Sequence, residues 1–229
     1  SKEGRALAER KYSWDSIGQT VADAYTLKLS KRLVITNDYP VLPAEQGGQV
    51  RVEAVAKELS ARGIGVSLLT LTGAKQARRL QPGPLFEEMN VPRTSLHRFL
   101  DGALSNLVGC GADDASAQIL TRWVTPQYRK VLRRELRQAH GVMLSHPYLE
   151  SVTRRLPEGV KLYYDSHNTE HELKAALYKD SRVSQWLVKK IRQAETASVS
   201  RSQAVFCVSQ QNADQLNELV PGIGDKTFV

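Results

Sequence analysis

The spacing of apolar residues changes along the chain, and each change marks an element. Residues 31–36 (KRLVIT) form a short apolar run of the kind that a buried strand needs. The loop NDYPVLPAEQGG follows, with two prolines and a glycine pair. Over residues 49–62 the period lengthens, and Val52, Val55, Ala56 and Leu59 share one side of an amphipathic helix. Gly63 and Gly65 end that helix, and residues 64–71 (IGVSLLTL) read as a second buried strand. A strand, a crossover helix and a strand predict a parallel pairing.

The alternation continues downstream. A proline-containing loop is expected over 73–94, a short strand near 95–100, a glycine-containing loop over 101–114 and a long helix over 116–138. Strands follow at 141–145 (GVMLS), 160–165 (VKLYYD) and 204–209 (AVFCVS). A short helix separates the first two of these; helices at 168–179 and 182–201 lead to the third, and one at 210–219 follows it. The closing KTFV reads as the opening of another strand. This order predicts an α/β fold with a doubly wound parallel sheet. Ahead of it, residues 2–12 are polar and helical in pattern. Ser13 caps a further helix, with Trp14, Ile17, Val21, Ala24 and Tyr25 on one face, ending near Leu29.

Composition adds limits. A chain of 229 residues can bury one good core. No apolar run approaches the roughly 20 residues of a membrane span, and no charged-then-apolar leader opens the chain. Cys110 and Cys207 lie far apart, which predicts two free thiols and a cytoplasmic setting. The formal net charge of +8 favours polyanionic or membrane-surface partners. Arg122, Arg129, Lys130, Arg133, Arg134 and Arg137 gather on one side of the helix predicted over 116–138. A solvated helix face accounts for them; peripheral contact with an anionic membrane surface or an acidic acceptor is the sharper alternative. Nucleic acid is not expected, because no aromatic interleaving or known binding motif accompanies the charge.

Ligands of open α/β sheets sit beyond the carboxyl ends of the strands. Gly47 and Gly48 stand at the entrance to the first crossover helix, where a bare backbone and free amides suit a diphosphate or a developing anion. No G-x-G-x-x-G follows the first strand, and GIGDKT lacks the P-loop spacing. The stretch YYDSHNTEHE spells H-x-x-E-H at 167–171. A zinc site there needs His167 and His171 on one helix face, plus a third ligand such as Glu195 or Glu218. The pattern instead leaves His167 at a strand exit, with Asn168 as a helix cap, so a substrate-facing His167 is preferred. His146 lies at another strand exit, ahead of Pro147, and either lines the cleft or caps. His97, in the strand expected near 95–100, and His140 are assigned structural roles.

Three segments in order carry a resemblance: LVITNDYPVLPAEQGGQVRVEAVAKELSARG, YDSHNTE and ETASVSRSQAVFCVSQQNADQL. Together they resemble the N-terminal half of a GT-B glycosyltransferase of retaining family 4, from about residue 31 to 229. The resemblance implies a Rossmann-like domain over 30–229, one half of a GT-B architecture. The opening GRALAERKYSWDSIGQTVADAYTLKL, within 1–29, is similar to the C-terminal helix of such an enzyme. Transfer of a sugar from a nucleotide-sugar to a glycan or lipid-linked acceptor is implied, with the donor held mainly by a second domain, so these residues alone should be nearly inactive. Gly47 and Gly48 would hold the donor phosphate or sugar, and His167 would contact the sugar near the reaction centre. His146, Asn168, Glu170 and Ser209 would line the cleft or acceptor site. No cofactor or bound metal is implied. A zinc hydrolase and a non-catalytic carbohydrate- or partner-binding module stay open as alternatives.

Overall fold

The computed structural model describes residues 31–229; the expected N-terminal helical segment lies outside them. The chain enters the sheet at β1 (Arg32–Asn37), crosses through α1 (Gly47–Ala61) to β2 (Gly65–Thr72), and turns through β3 (Arg78–Gly83) into β4 (Phe86–Pro92). Three helices follow: α2 (Ser95–Val108), α3 (Asp113–Val124) and α4 (Pro126–Leu136). After β5 (Gly141–Leu144) come a 3₁₀ turn (Pro147–Leu149), α5 (Glu150–Thr153) and β6 (Lys161–Ser166). The remainder is α6 (Glu170–Leu177), α7 (Arg182–Arg201), β7 (Ala204–Cys207), α8 (Gln210–Leu219) and β8 (Thr227–Phe228).

The strands form one sheet in the order β3-β4-β2-β1-β5-β6-β7-β8. Every pairing is parallel except β3 with β4. Alternate side chains leave opposite faces of a strand, and the central strands use both. Val34, Leu69, Val142, Leu144 and Tyr164 pack with Tyr128, Leu132, Leu187 and Ile191 on one face. Ile35, Leu68 and Met143 pack with Val52 and Ala56 of α1 on the other. A sheet buried on both faces explains why the central strands read as continuous apolar runs.

Four expectations are corrected. Residues 95–100 are not a strand but the start of α2, and most of the loop expected over 101–114 is helix too. Thr94 caps α2, its hydroxyl accepting from the His97 amide at 3.1 Å. The strand beside β2 is β4, FEEMNVP, within the stretch read as a loop. Its acidic residues disguised it, and tertiary partners account for them. Buried Glu88 accepts from the amides of Val41 (2.7 Å) and Leu42 (3.0 Å), and Glu87 pairs with Arg32 and Arg79. The helix expected over 116–138 is likewise two, α3 and α4, broken at Thr125. Pro126 lacks an amide proton and pushes the residue before it out of helical geometry. Cys110 and Cys207 are both free thiols.

Candidate functional site

β1 is flanked by β2 on one side and β5 on the other. The chain leaves β1 in one direction and returns later on the other side, so the carboxyl ends of β1 and β5 bound a crevice. β6 brings a third exit beside it.

The helix start is organised by Gln49. Its side-chain oxygen accepts from the amides of Glu45 and Gln46, both at 2.9 Å, and its nitrogen donates to the Pro40 carbonyl at 2.9 Å. The first helical bond runs from the Val50 amide to Gln46 O at 2.9 Å. The Gly47 and Gly48 amides lie ahead of it and find no acceptor within the helix. Gly47 faces open space. A Cβ at Gly48 would lie 2.7 Å from Tyr39 Oη and 3.4 Å from His167 Nδ1. Glycine is therefore what allows this helix start to approach the β6 exit.

His167 is buried, with only 8% of its surface exposed. Its Nε2 lies 3.0 Å from Asp165 Oδ2. Arg51 of α1 grips the same carboxylate, Nη2 to Oδ1 at 2.7 Å and Nε to Oδ1 at 3.1 Å. Burial lowers the His167 pKa, and the neighbouring His146 and Arg51 charges add to that, outweighing Asp165. A neutral His167 that donates from Nε2 presents the Nδ1 lone pair toward Gly48.

Behind it stands a second hydrogen-bonded group. His146 lies with its ring centre 4.4 Å from that of His167. Its Nε2 is 3.2 Å from Tyr39 Oη, and its Nδ1 is 3.3 Å from Glu170 Oε1. Tyr148 donates to Glu170 Oε2 at 2.6 Å. Burial would lower the His146 pKa, but the bond to Glu170 and the charges of Asp38 and Glu170 raise it overall. Burial would raise Glu170, but His146, Tyr148 and Lys174 hold it down at about 2. Asp38, after β1, is pushed up to about 6 by burial, against the pull of His146 and Arg93. Its Oδ1 is buried without a hydrogen-bond partner among the described residues.

The expected residues thus fall into two layers. Gly47, Gly48 and His167 meet at the crevice. Next to them, His167, Asn168, Thr169, Leu173 and Ser209 help line a pocket of about 270 Å³ between α6 and α8. His146 and Glu170 form the buried layer behind. Asn168 is exposed and does not cap α6. The Glu195 carboxylate takes that place, accepting from the Glu170 amide at 2.8 Å and the His171 amide at 3.2 Å. Ser209 caps α8, accepting from the Asn212 amide at 3.2 Å.

The zinc reading loses its geometric basis here. His167 lies outside α6 and is held by Asp165; His171 lies inside it, with Nδ1 2.7 Å from Glu195 Oε2. Among the described residues no three His, Cys, Asp or Glu side chains are grouped to hold a metal ion. His97 is helical rather than in a strand. Its Nδ1 lies 2.6 Å from Thr125 Oγ1, and burial lowers its pKa to about 4.

Sequence reasoning passed over Tyr39, Arg51 and Asp165. A signal existed for two of them. Asp165 and His167 are two apart at a strand end and so share a face, while Arg51 lies one helical turn beyond Gly47.

The chain belongs to the glycosyl transferase 4-like domain family, which it matches over residues 46–224. Among solved structures it resembles a sucrose-phosphate synthase from Thermosynechococcus elongatus, with a TM-score of 0.52 at 11% identity, covering 86% of this chain and 47% of that one. It also aligns with apo UGT2 of Phytolacca americana, with a TM-score of 0.49 at 12% identity, covering 86% of this chain and 51% of that one. The chain therefore spans about half the length of these structures. No curated protein matches it by sequence.

Proposed function

We propose that this chain is the acceptor-side half of a retaining GT-B glycosyltransferase that moves a sugar from a nucleotide-sugar to a glycan or lipid-linked acceptor. The observation that carries the reading is the approach of the glycine-bearing start of α1 to His167 at the crevice. The free amides of Gly47 and Gly48, at the positive end of α1, hold the donor diphosphate or sugar. They also stabilise negative charge growing on the leaving group. The Nδ1 lone pair of neutral His167 accepts from a hydroxyl of the donor sugar. Asn168 and Ser209 line the neighbouring acceptor pocket. His146 and Glu170 act from behind by fixing the strand exits. A second domain supplies most of the nucleotide contacts, in keeping with a chain that spans about half of the structures it resembles.

The test is sugar transfer from radiolabelled UDP- and GDP-sugars by the full protein. Gly48→Val and His167→Ala are each expected to lower turnover by about a hundredfold with an unchanged circular dichroism spectrum. Residues 1–229 alone are expected to turn over little donor. Full turnover in both variants would remove the assigned roles.

A further inference from the structure

The net charge of +8 is not spread evenly. Two grooves flank α4. One is lined by Arg122, Arg129, Arg133, Arg154 and Arg155, the other by Lys130, Arg134 and Arg137 along with the shared Arg129 and Arg133; among the described residues neither lining contains a carboxylate. Arg134 and Arg154 reach Glu135 and Glu150, but Arg122, Arg129, Lys130, Arg133 and Arg137 have no ion pair among the described residues.

Large apolar side chains stand beside this charge. On α2, Leu96, Phe99 and Leu107 are exposed, Phe99 by 71%; at the end of α3, Trp123 is exposed by 72%. The two helices are tied at that point. Thr94 Oγ1 donates to Val124 O at 3.0 Å, and His97 bonds Thr125. The Arg122 guanidinium lies 5.0 Å over the Trp123 ring, and Arg129 donates to the Arg122 carbonyl at 2.9 Å. The start of α2, the end of α3 and the Arg129 end of α4 are therefore linked through neighbouring contacts, which sets Trp123 directly beside the basic groups.

We propose that this face docks on the surface of an anionic phospholipid bilayer. The side chains need two media in one plane: an apolar boundary for Phe99, Leu96 and Trp123, and phosphates for unpaired guanidinium groups. A bilayer interface supplies both. A nucleic-acid duplex supplies the phosphates but keeps its base faces stacked inside, away from Phe99 and Leu96. α2 follows β4 at the carboxyl edge of the sheet, the edge that carries the crevice, so docking sets the crevice beside the lipid. The proposal is independent of the sugar-transfer reading, because binding is measured without turnover.

The test is co-sedimentation of this chain with vesicles of phosphatidylcholine alone or mixed with phosphatidylglycerol. Binding is expected only to the mixed vesicles and weakens with added salt. Arg129→Glu with Arg133→Glu lowers partition by about tenfold or more, whereas Arg129→Lys with Arg133→Lys retains it. Phe99→Ser with Trp123→Ser lowers it by about tenfold at unchanged charge. Phe99, Trp123 and Arg133 are exposed, whereas Arg129 is half-buried and bonds the Arg122 carbonyl, so thermal unfolding of each variant is measured beside its binding, and Arg133→Glu alone, at an exposed position, should still lower partition. No binding to mixed vesicles, or equal binding to both kinds, overturns the proposal. So does a concentration-dependent dimer that Phe99→Ser abolishes, which would assign the face to a second copy of the chain.

Discussion

Two imidazoles with ring centres 4.4 Å apart are driven in opposite directions. His146 is raised above its ordinary pKa and His167 is lowered, although both are buried and both bond a carboxylate. What differs is how far each carboxylate is already committed. Asp165 is shared with the Arg51 guanidinium, so much of its charge is answered before His167 is counted. Glu170 has Tyr148, a neutral donor, as its other close partner, and Asp38 adds negative charge near His146. The His146 charge then pushes its neighbour further toward neutrality. A buried histidine is thus set less by its nearest carboxylate than by what else holds that carboxylate. One corner becomes a neutral lone pair facing Gly48. The other becomes a buried charge pair joining the β5 and β6 exits.

Removing the charge pair should have the largest effect. Glu170→Gln leaves the His146 proton without its partner and should cost about 3 kcal/mol in urea unfolding near pH 6. Glu170 is depressed from 4.5 to about 2. Its contribution is therefore complete above 4.5 and lost as pH falls toward 2. His146 is raised from 6.5, so its contribution is complete below 6.5 and lost as pH rises through its folded value. The gap between wild type and variant should narrow on both sides. A gap that is flat in pH would mean that packing, not charge, is what the variant lost.

The neutral corner should respond more gently. Asp165→Asn removes the group that raises His167 and releases Arg51, whose charge lowers it. Nitrogen NMR should show the His167 pKa falling further and its Nε2-protonated tautomer losing dominance, with turnover of the full protein down about tenfold. An unchanged tautomer would end the claim that Asp165 orients the ring.

The sequence disclosed these regions unequally. The places of β1, β2, β5, β6 and β7 along the chain, the crossover helix that starts at Gly47 and Gly48, and the strand exits bearing His146 and His167 follow from periodicity, because the central strands are buried on both faces. β4 escaped because Glu87 and Glu88 find their partners in Arg32, Arg79 and the backbone at Val41 and Leu42, far away in sequence. The break at Thr125 was written in the following proline but hidden by an apolar stripe that continued past it. In the site, the positions were readable and the pairings were not. H-x-x-E-H suggested that His167 and His171 act together, whereas Asp165 and Glu195 draw them apart.

The smallest expected effect probes the source of the difference between the two histidines. Asp38 has a buried oxygen with no hydrogen-bond partner among the described residues, and burial lifts its pKa from 3.8 to about 6. A raised carboxyl pKa means that the fold favours the protonated form, so this contribution is complete below 3.8 and lost as pH rises through about 6. Asp38→Asn stays neutral throughout and escapes that loss. The variant should melt about 2–4 °C above wild type at pH 8 and match it at low pH. The same change withdraws negative charge from His146, whose pKa should fall toward that of His167. If the melting temperature at pH 8 and the His146 titration both stay where they were, the Asp38 field contributes nothing, and the bond to Glu170 alone separates the two rings.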